Sequence, residues 1–562
     1  MDNYKIADSF SLLAKLMDIH GENSFKSKSY ASVSFAIENL TVQLTELPAE
    51  KIPGLKGIGA SSAQKINELL ETGQLKILEE LTKKTPPGVL EMLNIKGIGP
   101  KKINTIWKEM EIESVGELLY ACKENRLKLF KGFGEKTQQN VIDTIEFYFK
   151  NKESHLYVHV SLIAHQVESF IRKIFPKKRI ALSGNFVRQD EVIDALEFVV
   201  EASEKEIENV MILTDGFTLK EKGEDSFIYA TSAGVDVQLY WSENASFLIK
   251  LLRTSSTEVF YNALMDAVKG LDLHILANEE EYFKKAGLPF IPYCLREDPA
   301  VIELAKSGKL PSLVQHADIK GIIHSHSNWS DGSNTIEEMA MACIGMGLEY
   351  LVVSDHSRSA FYAQGLSVER IREQHIYIDE LNEKMKPFRI FKSIESDILN
   401  DGSLDYSNEV LATFDLVIAS VHSNIKMTEE KAMARLIKAI ENPFTTILGH
   451  MTGRLLLSRP GYPVNHKKII DACAENNVVI ELNAHPNRLD MDWRHIQYAL
   501  EKNVLISIDP DAHFIHGLED IRYGVLVAQK AMLTKENNLS SFGLTDFEEF
   551  LKKTRLSRLK NV

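Results

Sequence analysis

Residues 322–332 read Ile322-Ile323-His324-Ser325-His326-Ser327-Asn328-Trp329-Ser330-Asp331-Gly332: a short apolar run, a His-x-His pair, and a carboxylate five residues beyond the second histidine. On a strand, residues two apart point the same way, so both imidazoles can meet one ion. Taken alone, the stretch reads equally well as two polar residues at a strand end.

Its pattern of an apolar run ending in a ligand-type residue recurs six more times. The later copies are Tyr350 to His356, Ile390 to Asp397 and Leu416 to His422, then Thr446 to His450, Val478 to His485 and Leu505 to His513. Seven strands separated by helical stretches predict a parallel α/β barrel, whose functional groups gather at the C-terminal strand ends. The histidines fall at those ends.

The rest of the chain bounds the reading. Its 562 residues, 44% apolar and 26% charged, predict several soluble globular domains. The start Met1-Asp2-Asn3-Tyr4-Lys5 is polar, no apolar run reaches the ~18 residues of a membrane span, and a cytoplasmic protein without membrane partners is expected. Cys122, Cys294, Cys343 and Cys473 show no paired spacing and are expected to be reduced and structural. The net charge of −14 argues against coating nucleic acid by bulk charge. Residues 1–150 nevertheless balance 20 Lys plus Arg against 20 Asp plus Glu, so the acidic excess lies beyond them.

Residues 1–150 read as helical and carry one small device three times. The copies are Ile52 to Gly59, Leu93 to Lys102 and Leu129 to Lys136, each an apolar helix end, a Gly-x-Gly turn and a new helix, with a lysine beside or just after the glycines. Glycine admits backbone conformations closed to other residues, and a following helix N-terminus points free N–H groups at a phosphate. These look like helix-hairpin-helix motifs, which hold the DNA backbone without reading sequence. Gly57, Gly59, Gly97, Gly99, Lys101, Lys102, Gly132 and Gly134 are the expected DNA contacts.

The opening helices with Gly21-Glu22-Asn23, the three hairpins in this order and the histidine-rich end together resemble a bacterial family X DNA polymerase carrying a C-terminal PHP (polymerase and histidinol phosphatase) domain. That resemblance covers essentially the whole chain. It implies a multidomain protein: a lyase-like helical domain at 1–85, helix-hairpin-helix fingers at 86–150, an α+β nucleotidyltransferase-like palm at 151–245, a thumb and linker at 246–317, and a seven-strand PHP barrel at 318–562.

The family's palm holds two metal ions on an Asp-x-Asp and a third Asp. Here Ser183-Gly184-Asn185-Phe186-Val187-Arg188 leads to Ala195-Leu196-Glu197, so Asn185 stands at a serine position, Val187 at an arginine position, and Ala195 and Glu197 at the two aspartates. Alanine cannot ligate magnesium, glutamate is one methylene too long, and Asp194 could substitute only from the other face of its strand. Asp236 alone keeps the expected carboxylate. Gly184, Asn185, Arg188, Ala195, Glu197 and Asp236 thus mark a degenerate polymerase site, short of ligands for magnesium, and lost polymerase activity is expected. In the nucleotide stretch, Thr254-Ser255-Ser256-Thr257 and Tyr261-Asn262 also depart from the family pattern. For a lyase, Lys76 is the nearest Schiff-base candidate, and it also reads as an exposed helix lysine.

In the barrel the resemblance implies nine catalytic metal ligands, and every one is present: His324, His326, Asp331, His356, Glu395, His422, His450, Asp511 and His513. So many imidazoles and carboxylates suit two or three divalent ions, manganese, zinc or iron. Arg454 and Arg488 follow strand ends, where a guanidinium either clamps a phosphate or forms a structural ion pair. Ile323, Met451 and Pro510 depart from the family pattern without removing a ligand.

The expectation is a DNA-binding, metal-dependent 3′–5′ exonuclease or 3′-end-processing phosphodiesterase of DNA repair, acting on gapped or 3′-recessed DNA, with a monomer favoured. The alternatives are a working gap-filling polymerase with a proofreading barrel, a small-molecule phosphatase, and a non-catalytic DNA-binding scaffold.

Overall fold

The computed structural model describes residues 3–38, 40, 42–95, 97–149, 154–269 and 278–559. Lys96 of the second hairpin and the expected boundary between residues 150 and 151 lie outside the described residues. The chain divides into two compact units, Met1–Lys123 with Leu127–Tyr148, and Glu124–Arg126 with Phe149–Val562. Among the described residues no helix is long and apolar enough to cross a membrane. All four cysteines are buried thiols.

The first unit is helical. Helices Asn3–Ile19 and Ser24–Glu38 pack as a pair around Ile6, Phe10, Leu13, Met17, Val33 and Ile37. Its three Gly-x-Gly turns are built alike. Gly57, Gly97 and Gly132 take φ of 88°, 93° and 92°, the left-handed region that glycine enters without penalty. In each turn the residue between the glycines is buried (Ile58, Ile98, Phe133) and donates its N–H to the carbonyl three back, of Leu55, Ile95 or Phe130. The second glycine then opens a helix: Ala60–Thr72, Pro100–Lys108 or Glu135–Phe149.

The second unit begins with β1 (His155–Leu156), β2 (Ile180–Ser183), β3 (Val192–Ile193), β4 (Ala195–Glu201), β5 (Phe217–Lys222), β6 (Ser226–Thr231) and β7 (Asp236–Ser242). A mixed sheet of order β2-β4-β7-β6-β5 results, with β4 and β7 parallel and Ala195 opposite Asp236. The helices after it, from Phe247 to Lys306, pack on Tyr282, Phe283 and Leu295.

The barrel follows as β8 (Gly321–Ile322), β9 (Tyr350–Val353), β10 (Arg389–Asp397), β11 (Leu416–Ser420), β12 (Ile447–Leu448), β13 (Val479–Asn483) and β14 (Ile506–Asp509). All seven are parallel and ordered by sequence, and a bridge between Ser325 and Ala512 links the two ends of the ring. Helices run between successive strands, four of them capped by a side chain of Thr335, Ser367, Thr428 or Asn465 that accepts a first-turn N–H. Inside the ring Ile323, Tyr350, Val352, Phe391, Leu416, Ile418, Ile447 and Val479 form one apolar layer with Phe547 and Leu551 of the helix Leu544–Leu559. Tyr350 stacks on Phe547 with ring centroids 4.5 Å apart, and a Cβ on Gly321 would fall 2.1 Å from the Tyr350 ring. That layer fills one end of the barrel, which leaves polar groups the other end, past the C-termini of the strands.

One expectation needs correcting. Strand alternation does not bring His324 and His326 together, because β8 ends at Ile322 and His324 lies in the left-handed region at φ 61°. The rings meet through that turn, 5.3 Å apart and tilted by 50°. Asp511 beyond β14 has φ 52° as well, so two of the nine expected ligands sit on backbone that side chains rarely adopt.

Candidate metal centre

Each barrel strand except β13 delivers part of the nine-residue set: His324, His326 and Asp331 beyond β8, His356 beyond β9, Glu395 on β10, His422 beyond β11, His450 beyond β12, and Asp511 and His513 beyond β14. All nine come together. Glu395 lies at the centre, with one carboxylate oxygen 2.9 Å from His450 Nε2 and 3.1 Å from His422 Nε2, and the other 2.9 Å from His356 Nδ1. Asp511 Oδ1 stands 3.1 Å from His326 Nε2 and 3.4 Å from His324 Nε2. Asp331 reaches His356 Nε2 at 3.4 Å and His513 Nε2 at 3.5 Å.

Three groupings have metal-ligand spacing: His326, Asp331, His356 and His513; His324, His326 and Asp511; and His356, Glu395 and His422. They share His326 and His356, so they form one continuous cluster rather than separate sites. Buried polar atoms normally find hydrogen bonds, yet His324 Nε2, His326 Nδ1, Asp331 Oδ2, Glu395 Oε2 and His513 Nε2 are buried and make none within the protein. A mixed imidazole and carboxylate set with such atoms fits divalent cations.

Electrostatics point the same way. Burial opposes charge on His324, but Asp511, Glu481 and Glu395 outweigh it and raise its pKa. Burial likewise opposes charge on His422 and His513, and their neighbouring carboxylates push both up to about 9. His326 is lowered by burial and by His513 and His356 beside it. Glu395, Asp331 and Asp511, despite burial, are held well below the carboxylate range by the surrounding histidines. The three carboxylates are thus held in the charged form that ligates a cation, and the histidine protons that now balance them are those a divalent ion would displace.

Sequence reasoning overlooked the groups that aim these ligands. Glu481 on β13 accepts from His324 Nδ1 at 2.5 Å, from the His450 N–H at 3.0 Å and from Asn483 Nδ2 at 2.9 Å. Asp397 accepts from His422 Nδ1 at 2.5 Å. A carboxylate behind a ligating histidine fixes its tautomer and ring orientation. Asp355 accepts from the Ser327 N–H and from Ser327, Ser330 and Gln374 side chains, which pins the loop that carries Asp331. The available signal was spacing: Asp397 lies two residues after Glu395 on the same strand.

The two arginines part company. Arg454 is taken up in ion pairs, at 2.5 Å to Glu191 and 2.8 Å to Asp492, and its Nε donates to the Arg488 carbonyl. Arg488 is buried, and its Nε lies 3.9 Å from Asp511 Oδ2, facing the ligand cluster.

In the palm, Ala195 lies opposite Asp236 across β4 and β7. The Glu197 carboxylate accepts from the Asn185 N–H at 3.2 Å and from the Tyr240 hydroxyl at 3.0 Å, and burial raises its pKa against those bonds. It fills the space above Gly184, where a Cβ would fall 1.9 Å from Oε1. Asp236 pairs with Lys220 at 2.6 Å. Asp194 is exposed and accepts from Ser154. Arg188 is held by Asn185, Asp190 and Glu297. Among the described residues no grouping with metal-ligand spacing occurs in the palm.

In the hairpins, Gly59 and Gly99 have φ of −85° and −88°, open to any residue, and a Cβ on Gly59, Gly99 or Gly134 would meet nothing within 4 Å. Among the described residues nothing requires glycine there. Lys76, at the start of its helix, is exposed.

Comparison with known proteins agrees with this layout. Residues 1–75 match a family model described as a helix-hairpin-helix domain, and residues 89–146 one described as a SAM-like helix-hairpin-helix tandem. A probable phosphatase from a Thermoanaerobacter species is 25% identical over 41% of this chain and 94% of its own length. Another, from Caldanaerobacter subterraneus subsp. tengcongensis, is 29% identical over 28% of this chain and 60% of its own. DNA polymerase/3′-5′ exonuclease PolX of Bacillus subtilis is 32% identical, over 96% of this chain and 98% of that protein. With the barrel, the hairpins and this near full-length similarity together, the chain belongs to the bacterial family X DNA polymerases that carry a C-terminal PHP domain.

Proposed function

We propose that the chain is a DNA-binding, metal-dependent phosphodiesterase that trims or processes 3′ ends through its barrel, and that its palm no longer polymerises. The observation that carries this reading is a contrast in carboxylates. In the barrel nine ligand-type side chains converge, eight in groupings with metal-ligand spacing and His450 against Glu395, whereas in the palm Glu197 is bonded inward and Asp236 is paired with Lys220.

The nine barrel residues would hold two or three divalent ions, with Glu395 at the centre of the set. Bound there, such ions supply an activated water and neutralise charge on the phosphoryl oxygens. The chain's own residues do the rest. Glu481 and Asp397 keep the Nε2 atoms of His324 and His422 turned inward by holding Nδ1. Arg488 offers a guanidinium to a non-bridging phosphate oxygen beside Asp511. The open second glycines of the three hairpins support backbone binding, since a phosphate can approach the helix N–H groups without meeting a side chain.

A second reading, a working polymerase beside the nuclease, has the support of the Bacillus subtilis relative, whose name couples polymerase to 3′-5′ exonuclease. It would require Glu197 to break two hydrogen bonds and Asp236 its ion pair before either could hold magnesium.

The test uses the full chain with Mn²⁺ on 5′-labelled DNA, 3′-recessed or with a one-nucleotide gap, with and without nucleotides. Shortening that is lost in a His324→Ala, His326→Ala double variant is expected. Nucleotide-dependent lengthening would overturn the inactive palm, and an unchanged strand would overturn the phosphodiesterase.

A further inference from the structure

We infer that the palm loop Arg188–Glu191 braces the hydrolytic site: Glu191, acting through Arg454, is a positioning residue for Arg488. The inference rests on the phosphodiesterase reading and gives the palm a task that needs no polymerisation.

The loop meets the barrel through two buried cations, and the more exposed Arg494 lies 4.0 Å from Glu191 as a third. Lys530, on the helix Ile521–Lys530 after β14, has a fully buried side chain. Its ammonium meets Asp190 at 2.7 Å, the Arg188 carbonyl at 2.9 Å, and Glu297. Arg454 is the second. Three of its partners belong to the barrel: the Arg488 carbonyl at 3.0 Å, the Leu489 carbonyl, and Asp492 at 2.8 Å. The fourth is Glu191 of the palm, 263 residues away in sequence.

The geometry fixes what Arg454 is for. Its guanidinium spans two successive carbonyls of the segment that carries Arg488, and the Arg488 N–H donates to the His485 carbonyl at 2.7 Å. Both sides of residue 488 are therefore tied down, and its side chain is left facing Asp511 at 3.9 Å. The Arg454 Nη2 that holds the Leu489 carbonyl also holds Glu191. Without Glu191 that nitrogen loses its anionic partner, and the remaining charge pulls Arg454 toward Asp492 and away from the carbonyls. Leu489 itself is left-handed at φ 44°, so this segment holds its shape only while its restraints persist.

The experiment measures binding of inorganic phosphate to the Mn²⁺-loaded full chain by calorimetry, with Mn²⁺ affinity followed separately by electron paramagnetic resonance. Four proteins are compared: the unaltered chain, Glu191→Ala, Arg488→Ala and the double variant. Each single change is expected to weaken phosphate binding about tenfold, as for a lost charge-assisted contact, and the double variant to bind no more weakly than Arg488→Ala. Mn²⁺ affinity should not move. Losses that add in the double variant, phosphate affinity indifferent to Glu191, or a parallel fall in Mn²⁺ affinity would each overturn the brace. Glu191→Gln, which keeps shape and loses charge, guards against misfolding and is expected to show a smaller loss in the same direction. Labelled DNA assayed in the same preparations separates the two claims. An unaltered chain that binds phosphate through the brace but never shortens DNA sinks the phosphodiesterase and spares the brace.

Discussion

Glu197 in the palm, half-buried, and Glu395 in the barrel, buried, are both strand glutamates, and they differ in what meets them. Around Glu197 stand one N–H and one hydroxyl, and burial raises its pKa. Around Glu395 stand His422, His324 and His356, which, against burial, hold it far below its usual value. A carboxylate whose two oxygens each accept from a neutral donor, with the Arg188 guanidinium nearby, is a satisfied structural group. One ringed by imidazoles, with an oxygen that makes no hydrogen bond, is poised for a cation.

The largest effects should follow from exchanging charge at these two positions. Glu395→Gln is expected to abolish hydrolysis, by about 10³-fold or more, because the central carboxylate contributes several kcal/mol of charge stabilisation. Glu197→Gln should leave hydrolysis within about twofold and stability within about 1 kcal/mol, since the amide oxygen can accept from the Asn185 N–H while the amide NH₂ donates to the Tyr240 hydroxyl oxygen, which turns to accept. Steady-state rates and urea midpoints for the two variants check the pair. A Glu197→Gln protein that lost nucleotide-dependent extension would show the palm to be working.

A finer test acts behind the ligands. Asp397 holds the His422 Nδ1–H, and His422, against its burial, is pushed up to about 9 by Glu395 and Asp397. A histidine binds metal only when neutral, so below that pH a proton competes and Mn²⁺ affinity should rise with pH between 7 and about 9. Asp397→Asn removes an anion, lowers the His422 pKa and relieves this competition, but it also releases the ring. Affinity should therefore fall about 10- to 100-fold above pH 9 and by less at pH 7. Mn²⁺ titrations across that range decide it, and equal losses at all pH values would remove Asp397 from the proton balance.

How legible this was in sequence depends on what set each position. The barrel was legible because seven apolar runs each end at one rim, so periodicity and ligand types coincided at His356, Glu395, His422 and His450. The route by which His324 and His326 meet was not, because it depends on a left-handed residue beyond the strand, which residue spacing does not encode. Glu481 and Asp397 were hidden by their resemblance to ordinary strand-end carboxylates, and only the facing histidines give them a role. Arg454 fits either a phosphate clamp or an ion pair in sequence. Its partner Glu191 comes from the palm loop before β3, through docking that no local pattern records.

The hairpins extend the comparison to glycines, where the expected effects are smallest. Gly97 and Gly99 are two residues apart and answer different demands. Gly97 has φ 93°, so Gly97→Ala strains the turn itself, by about 1–2 kcal/mol, and should lower both stability and DNA affinity. Gly99 has φ −88° with open space around its Cβ position, and a methyl group there fits the fold at no more than about 1 kcal/mol as a poorer N-cap. What the methyl meets lies outside the protein. If phosphate approaches the N–H groups at the start of the helix Pro100–Lys108, Gly99→Ala should weaken DNA binding about three- to tenfold with the thermal midpoint almost unmoved. The salt dependence should stay the same, because no lysine has been removed. Fluorescence anisotropy over a salt series, beside thermal melts of both variants, separates the two glycines. Unchanged binding by Gly99→Ala would mean that the open glycine faces solvent, and would leave Lys101 and Lys102 to carry the hairpin's share of the contact.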